Sequence, residues 1–338
     1  MPESVGYKAN LHTHTLDSDG HISPVQAKEE YKKRGFSILA YTDHAFMTDR
    51  TYLSDENFIA ISGYENHIEP PRVNGKSVRC YHMNFYAPQP DKLGMVGITD
   101  YTWEYYNRIY KAKVGEPMRD PFNCPESPML DGYCASDYTI ENINSIIAQA
   151  NQEGYLVVIN HPAWSHNDAR DLVGLKGLCG LEIANYDCVC GGYPCEGIET
   201  FYDLMLKDGQ RINCFANDDS HWASEKDSFG AYNYIYPEKF TYEGVFQAMK
   251  KGDLYASTGA QFRGVFIKDG KVCVGSEPVS YIKLITDHRR QMITSNENNI
   301  TDATFVLKDN DDYFRIEIGT ENGKRAFTKG YFLDGYKL

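Results

Sequence analysis

The chain has no apolar run approaching the roughly 18 residues that a membrane-spanning helix requires. Its first residues show no basic flank leading into an apolar core, so no secretory leader is expected. Positive charge is scarce: 34 Lys and Arg stand against 47 Asp and Glu, a formal net charge of -13. That balance argues against long nucleic acids, which need a basic footprint. A small phosphate ester stays open, because bound cations can reverse the local sign of a site. Gly-x-Ser-x-Gly is missing, so no serine nucleophile of that type is expected. Gly20, Gly63 and Gly259 are scattered, so no glycine-rich loop cradles a phosphate. There are nine cysteines but no paired Cys-x2-Cys. Cys179, Cys188, Cys190 and Cys195 follow a Cys-x8-Cys-x-Cys-x4-Cys spacing, which we read as structural or loop thiols rather than a zinc site or disulfide. The reducing cytoplasm is the simplest compartment for such a chain. Internal repeats and low-complexity tracts are also missing.

What is present is an ordinary soluble composition, 42% hydrophobic and 24% charged over 338 residues, enough for two domains or one large one with an appendage. Apolar runs of strand length alternate with helical patterns. Strands are expected at Tyr7–Leu11, Ser37–Thr42, Asn57–Ser62, Val78–Tyr86, Tyr155–Asn160, Gly180–Asn185, Ile212–Asn217 and Leu254–Gly259. Helices are expected at Pro24–Arg34, with Ser23 as cap and Gly35 as stop, and at Tyr138–Asn151, Ile198–Lys207 and Tyr242–Lys251. Repeated strand–helix units with a polar residue just after each strand are the pattern of a βα-barrel. Pro88 to Asp137 interrupts it with an aromatic-rich insertion, carrying Trp103, Tyr105, Tyr106 and Tyr110, that reads as a lid or as packing against the barrel. From about Phe262 the pattern changes to short alternating strands at Phe262–Ile267, Ser280–Thr286, Ala303–Leu307, Tyr313–Gly319 and Arg325–Thr328, with no helix. The expected division is 1–261 for the barrel, with 88–137 as lid, and 262–338 for a small β-sandwich-like appendage.

The polar residues at the strand ends are metal-type ligands: His12, His14, Asp19, His44, Glu65, His82, His161, Asp219 and His221. Imidazoles and carboxylates are what divalent zinc, manganese and iron accept. His-x-His places two imidazoles on one side of a strand, because side chains alternate. Nine such residues suit three cations sharing a bridging carboxylate. His67 and His166 are read as non-ligands, and Asp43 and Asp218 as partners that orient imidazoles.

At His12-Thr-His14, Asp19-Gly20, Thr42-Asp43-His44, Gly63-Tyr64-Glu65, His82, Asn160-His161-Pro162 and Asp219-Ser-His221 the chain resembles the PHP (polymerase and histidinol phosphatase) family, with the motifs in the family's order over Asn10 to His221. Gly180-Leu-Glu182-Ile-Ala-Asn185, Ala256-Ser-Thr-Gly259 and the β tail look like the branch that includes the carbaryl hydrolase. The resemblance implies an α/β fold, a distorted (β/α)7 barrel with a small C-terminal all-β domain, and a trinuclear site. It implies that His12, His14, Glu65 and Asp219 hold one ion, Glu65, His82 and His161 a second, and Asp19, His44 and His221 a third. Glu65, Asp219 and His221 are the catalytic candidates. Two to three divalent ions, zinc, manganese or iron, are the expected cofactors. A pair of ions about 3.5–4 Å apart would make a bridging hydroxide available and neutralise charge developing on the attacked group. The expected activity is a phosphoesterase on a small phosphorylated metabolite or nucleotide, with no long nucleic acid and no membrane as partner. Hydrolysis of a carbamate, ester or amide is the alternative, and a non-catalytic binding module is the rival of another class. Neither metal identity nor oligomeric state is legible in the residues.

Overall fold

The computed structural model describes residues 6–118, 137–193, 198–222 and 226–334. Its first unit forms where the local signals are strongest. Strand β1 (Tyr7–Asn10) leads into helix α1 (Pro24–Lys32). The Ser23 side chain accepts from Gln26 N while the Gln26 side chain accepts from Ser23 N at 2.9 Å, a reciprocal cap completed by Pro24. Gly35 ends the helical segment at φ +76°, a conformation that strains residues with a Cβ. Strand β2 (Ile38–Tyr41) is buried along its whole length, as its continuous apolar run requires.

Strand β3 (Ile59–Ile68) departs from expectation. Gly63, Tyr64 and Glu65 continue it rather than end it, and it runs on to pair antiparallel with β4 (Tyr81–Tyr86), from Gly63 opposite Tyr86 to Ile68 opposite Tyr81. No helix separates these two strands, because an antiparallel partner needs no crossover. Helix α2 (Asp100–Val114), capped by the Thr99 side chain, carries the aromatic stretch of the insertion; its residues 119–136 lie outside the described residues. Helix α3 (Ile140–Gln152) buries Ile143, Ile146, Ile147 and Ala150 on one face. There follow β5 (Leu156–Ile159), α4 (Ala169–Leu172), β6 (Gly180–Asn185), α5 (Tyr186–Cys190), α6 (Ile198–Lys207), β7 (Asn213–Asn217), β8 (Tyr232–Ile235), α7 (Tyr242–Lys251) and β9 (Leu254–Ser257).

These strands form one large sheet in the order β9-β8-β1-β2-β3-β4-β5-β6-β7. The pairs β1/β2, β2/β3, β5/β6 and β6/β7 are parallel, and those of β4 with its two neighbours are antiparallel. The residues just beyond β1 and β7 also meet. Thr13 bridges Ser220 in parallel, His14 N donates to Ser220 O at 3.0 Å, and Asp219 N donates to His12 O at 3.0 Å. Asn233 on β8 bonds both backbone groups of Ala216 on β7, accepting from its N–H at 3.0 Å and donating to its carbonyl at 2.7 Å. A side-chain amide thus stands in for a missing strand neighbour.

The C-terminal strands are β10 (Phe262–Lys268), β11 (Lys271–Val279), β12 (Tyr281–Thr286), β13 (Arg290–Thr294), β14 (Ile300–Val306), β15 (Tyr313–Gly319), β16 (Arg325–Thr328) and β17 (Tyr331–Phe332). Among the described residues after 262 there is no helix. β10, β11 and β14 form a separate sheet of three, while β13-β12-β15-β16 continues the large sheet through pairing of β16 with β9. Val272, Val274 and Phe305 share one apolar cluster with Ile282, Leu284, Ile316 and Ile318 of the facing layer.

Candidate metal centre

The three pairings beyond the strand ends assemble the centre. Opposite His12 and His14 the extension of β7 sets Asp219. His44, past β2, bridges Glu65 on β3 in parallel, with Glu65 N donating to Asp43 O at 3.2 Å. Asn160 N, past β5, donates to His82 O on β4 at 2.9 Å, which sets His161 beside His82. Gly20 closes the acidic turn against this floor: a Cβ there would lie 2.5 Å from the His14 carbonyl. The backbone is strained at two of the nine residues, Asp219 at φ +57° and His161 at φ +24°. Such strain collects where surrounding structure fixes a side chain for a task.

All nine sequence-predicted residues converge, in overlapping groups. His12 Nε2 lies 3.3 Å from Glu65 Oε2 and 3.0 Å from Asp219 Oδ1, and His14 Nε2 lies 3.3 and 2.9 Å from the same two atoms. Glu65 Oε1 faces His82 Nδ1 at 3.1 Å and His161 Nε2 at 3.4 Å. Asp19 Oδ2 faces His44 Nε2 at 3.7 Å and His221 Nε2 at 3.6 Å, and the other nitrogen of His14 lies 3.6 Å from Asp19 Oδ1. Each group gathers donor atoms within 4.8 Å of one another. His14 thus faces two groups, where the sequence reading gave it one.

Electrostatics bind the cluster together. Burial would push every imidazole down, and it does so at His44, held well below its usual range, and at His82, lowered to about 4. At His12 burial is outweighed by Asp219, Glu65 and Glu182, which raise it; at His221 it is outweighed chiefly by Asp19, which raises it to about 10. Burial would raise the Glu65 and Asp219 carboxyls, yet His12 and the other facing imidazoles hold both well below the usual carboxylate range. His14 Nδ1 and His44 Nδ1 are buried with no hydrogen-bond partner. Unpaired imidazole nitrogens beside ionised carboxylates fit a divalent cation.

The orienting residues differ from expectation. Asp43 accepts from Thr15 N at 2.7 Å, Ser18 Oγ at 2.8 Å and Arg50 Nη2 at 3.1 Å; Asp218 accepts from Tyr31 Oη and from the backbone of Phe229, Gly230 and Ala231. Neither accepts from a ligand imidazole, because each is consumed in holding the loop that bears it. The work falls to Glu182 on β6. Its Oε1 meets His12 Nδ1 at 3.0 Å and accepts from Asn217, while Oε2 accepts from His161 N at 3.0 Å and from Asn185. Asn160 Nδ2 donates to Glu65 Oε1 at 2.6 Å, and Ser165 Oγ lies 3.1 Å from His161 Nδ1. The one available signal for Glu182 was a carboxylate inside an apolar strand run. His166 is exposed and stands apart beside Tyr193, as expected of a non-ligand. Cys179, Cys188 and Cys190 form no disulfide, and no metal-type group among the described residues includes them; Cys195 lies outside the described residues.

Above this floor is a cavity of about 360 Å³, walled by Tyr105, Tyr106 and Ile109 of α2 and by Trp164. Tyr106 stacks on His44 with ring centroids 3.8 Å apart. Lys113 Nζ donates to Ser18 O at 2.8 Å and to Gly20 O, pinning the end of α2 to the acidic turn. Trp103 does not line the cavity but packs into the core behind it.

No family model matches the chain, and no curated protein does. Among solved structures, the chain is similar to a two-domain protein from Bacteroides vulgatus containing a predicted PHP-like metal-dependent phosphoesterase, at 13% identity and a TM-score of 0.44, over 97% of this chain and 96% of that one. It is similar to a protein from Bifidobacterium adolescentis described by inference as a metal-dependent phosphoesterase, at 17% identity and a TM-score of 0.41, over 73% and 96%. It is also similar to an amidohydrolase from Chromobacterium violaceum with bound sulfate and no metal, at 18% identity and a TM-score of 0.38, over 64% and 89%. These likenesses are distant, and the functional reading rests on the donor groups of this chain.

Proposed function

We propose that the chain is a metal-dependent hydrolase of PHP type, a phosphoesterase for a small phosphorylated metabolite or nucleotide. The observation that carries this reading is the overlap of three donor groups, two sharing the Glu65 carboxylate and the third joined to the first through His14. In this reading β1 to β7 form a distorted seven-stranded barrel, residues 262–338 a β domain, and the insertion a lid. His12, His14, Glu65 and Asp219 hold one cation, Glu65, His82 and His161 a second, and Asp19, His44 and His221 a third. Zinc, manganese or iron would supply Lewis acidity and activate water for attack. The chain's own residues do the rest. Glu182 and Asn160 fix the His12 ring and the Glu65 carboxylate, so the donor atoms are held in place before substrate arrives. Asp219 O, 2.9 Å from His221 Nδ1, fixes that imidazole with Nε2 toward the cavity. Tyr105, Tyr106 and Trp164 shield the floor from water and offer stacking surface.

A second reading, hydrolysis of a carbamate, ester or amide, draws on one specific feature. No Lys or Arg stands among the described residues lining the cavity, so a neutral ester would meet no unpaired cationic side chain. The test is a hydrolysis screen on protein loaded separately with zinc, manganese or iron, with phosphomonoesters, nucleotides and carbamates in parallel. Phosphomonoester cleavage that disappears with chelator is expected. Carbamate cleavage alone would favour the second reading, and no cleavage with any ion would reject both.

A further inference from the structure

A second set of ligand-type residues lies behind the cavity, on the far side of His82. In β3 and its continuation Glu65, His67 and Glu69 fall on one face by alternation, and Cys80 and His82 fall on one face of the neighbouring strand. His67 and His82 are directly opposed in the antiparallel register, with ring centroids 4.5 Å apart. His67, Glu69, Cys80 and His82 are all buried. The donor atoms of His67, Cys80 and His82 lie within 4.8 Å of one another, and Glu69 Oε2 lies 3.4 Å from His67 Nε2.

The hydrogen bonds of these side chains leave particular atoms over. His67 Nδ1 meets Tyr106 Oη at 3.3 Å, and His82 Nδ1 meets Glu65 Oε1 at 3.1 Å. His82 Nε2 is buried without a hydrogen-bond partner, and His67 Nε2 and Glu69 Oε2 face only each other, at 3.4 Å. A metal-ligating histidine characteristically donates its other N–H to a carboxylate or similar acceptor, which is the arrangement both imidazoles offer. A buried imidazole nitrogen without a partner, beside a second imidazole and a thiol, is costly if nothing joins them.

We infer that His67 Nε2, His82 Nε2 and Cys80 Sγ, with Glu69 Oε2 as fourth donor, form a further zinc site that shares His82 with the second of the three groups above. Two imidazoles, a thiolate and a carboxylate suit the borderline-soft preference of Zn²⁺ for tetrahedral nitrogen and sulfur ligation. Binding releases the Cys80 thiol proton to solvent and forms a Zn–S bond. His82 then has Nδ1 toward Glu65 and Nε2 toward this zinc; with the second cation also bound at Nδ1 it would bridge as an imidazolate, its ring proton leaving to solvent as the thiol's does. The inference goes beyond the hydrolase reading, with which it has His82 in common.

The experiment is zinc X-ray absorption on the full-length, zinc-loaded protein, with zinc counted per chain. The expected spectrum contains a Zn–S shell at about 2.3 Å. Cys80→Ser is expected to abolish that shell and lower the zinc count by one. Should Cys80→Ser fail to fold, His67→Gln decides, since it removes the sulfur shell and one zinc if the site lies there and leaves both if the sulfur comes from elsewhere. Zinc bound with only nitrogen and oxygen neighbours, or a sulfur shell surviving Cys80→Ser, overturns the site and leaves the hydrolase reading standing. A sulfur shell in a protein that hydrolyses nothing supports the site and rejects the hydrolase.

Discussion

Glu65 has six neighbours competing for its two oxygens. Oε1 faces His82, His161 and Asn160, and Oε2 faces His12, His14 and His44. Glu65→Ala is therefore expected to lose the two cations that Glu65 would hold and to lower kcat by about 10³-fold or more. Glu182 acts one step further out, through His12 Nδ1 and His161 N. Glu182→Gln keeps the size and one acceptor but loses the charge, so a fall of roughly 10–100-fold in metal affinity or activity is expected. Elemental analysis and steady-state kinetics on both variants check the order, with circular dichroism to confirm the fold. Equal losses in the two would mean that Glu182 is itself a ligand, and a Glu65→Ala enzyme near wild-type activity would remove the proposed mechanism.

Among the elements, α2 decides what can sit above the metal floor. Tyr105 and Tyr106 face the cavity while Trp103, on the same helix, packs inward. Stacking on an aromatic side chain contributes about 0.5–1.5 kcal/mol. Tyr105→Ala and Trp164→Ala are therefore each expected to raise KM for an aryl phosphate by roughly 2–10-fold, with little change for a bare small phosphomonoester. Trp103→Ala should instead lower the melting temperature and leave that ratio alone. Equal KM changes for both substrates would reject a stacking role. Helix α2 was not expected: the aromatics stand at near-helical spacing, but the insertion was read only as a lid or as packing, and nothing in the spacing said which side would face the site. Strand ends were legible at His12, His44, His161 and Asp219, which closely follow apolar runs, whereas Glu65 and His82 lie inside β3 and β4. β11 was not, since Gly275 and Pro278 argue against a strand, and neither was β13, which is largely exposed and has no apolar face to betray it. The role of Glu182 depends on a partner 170 residues away, and no local pattern carries such a contact. Asp43 and Asp218 were misassigned for the same reason, since adjacency to a ligand in sequence does not say where a carboxylate points.

At the scale of the molecule, the proposed boundary near 262 divides two kinds of strand but not the hydrogen-bonded sheet. β9 pairs with β8 on one edge and with β16 on the other, at Ser257 opposite Ala326 and Tyr255 opposite Thr328. Across the same junction Arg315 Nε donates to Asp203 of α6 at 2.6 Å and Arg325 Nη2 lies 3.0 Å from Glu199. Arg315 is among the largest fully buried side chains. A guanidinium out of water is tolerated only while its partners stay, and removing one partner of a buried pair costs about 3–5 kcal/mol. Asp203 is partly exposed and Arg315 keeps Glu317 at 3.6 Å, so Asp203→Ala should fall at or below the lower end of that range. Deleting residues 262–338 does more: it opens the β9 edge, which is then free to pair with other chains, and uncovers Tyr255 and Ala256, both buried in the intact protein. The full chain is therefore expected to melt in one cooperative transition, and the truncated chain to aggregate or melt lower. Calorimetry and size-exclusion chromatography on the two proteins read this directly. Two separate transitions in the full chain, or a soluble truncated barrel with unchanged melting temperature, would show that the C-terminal strands fold and act on their own.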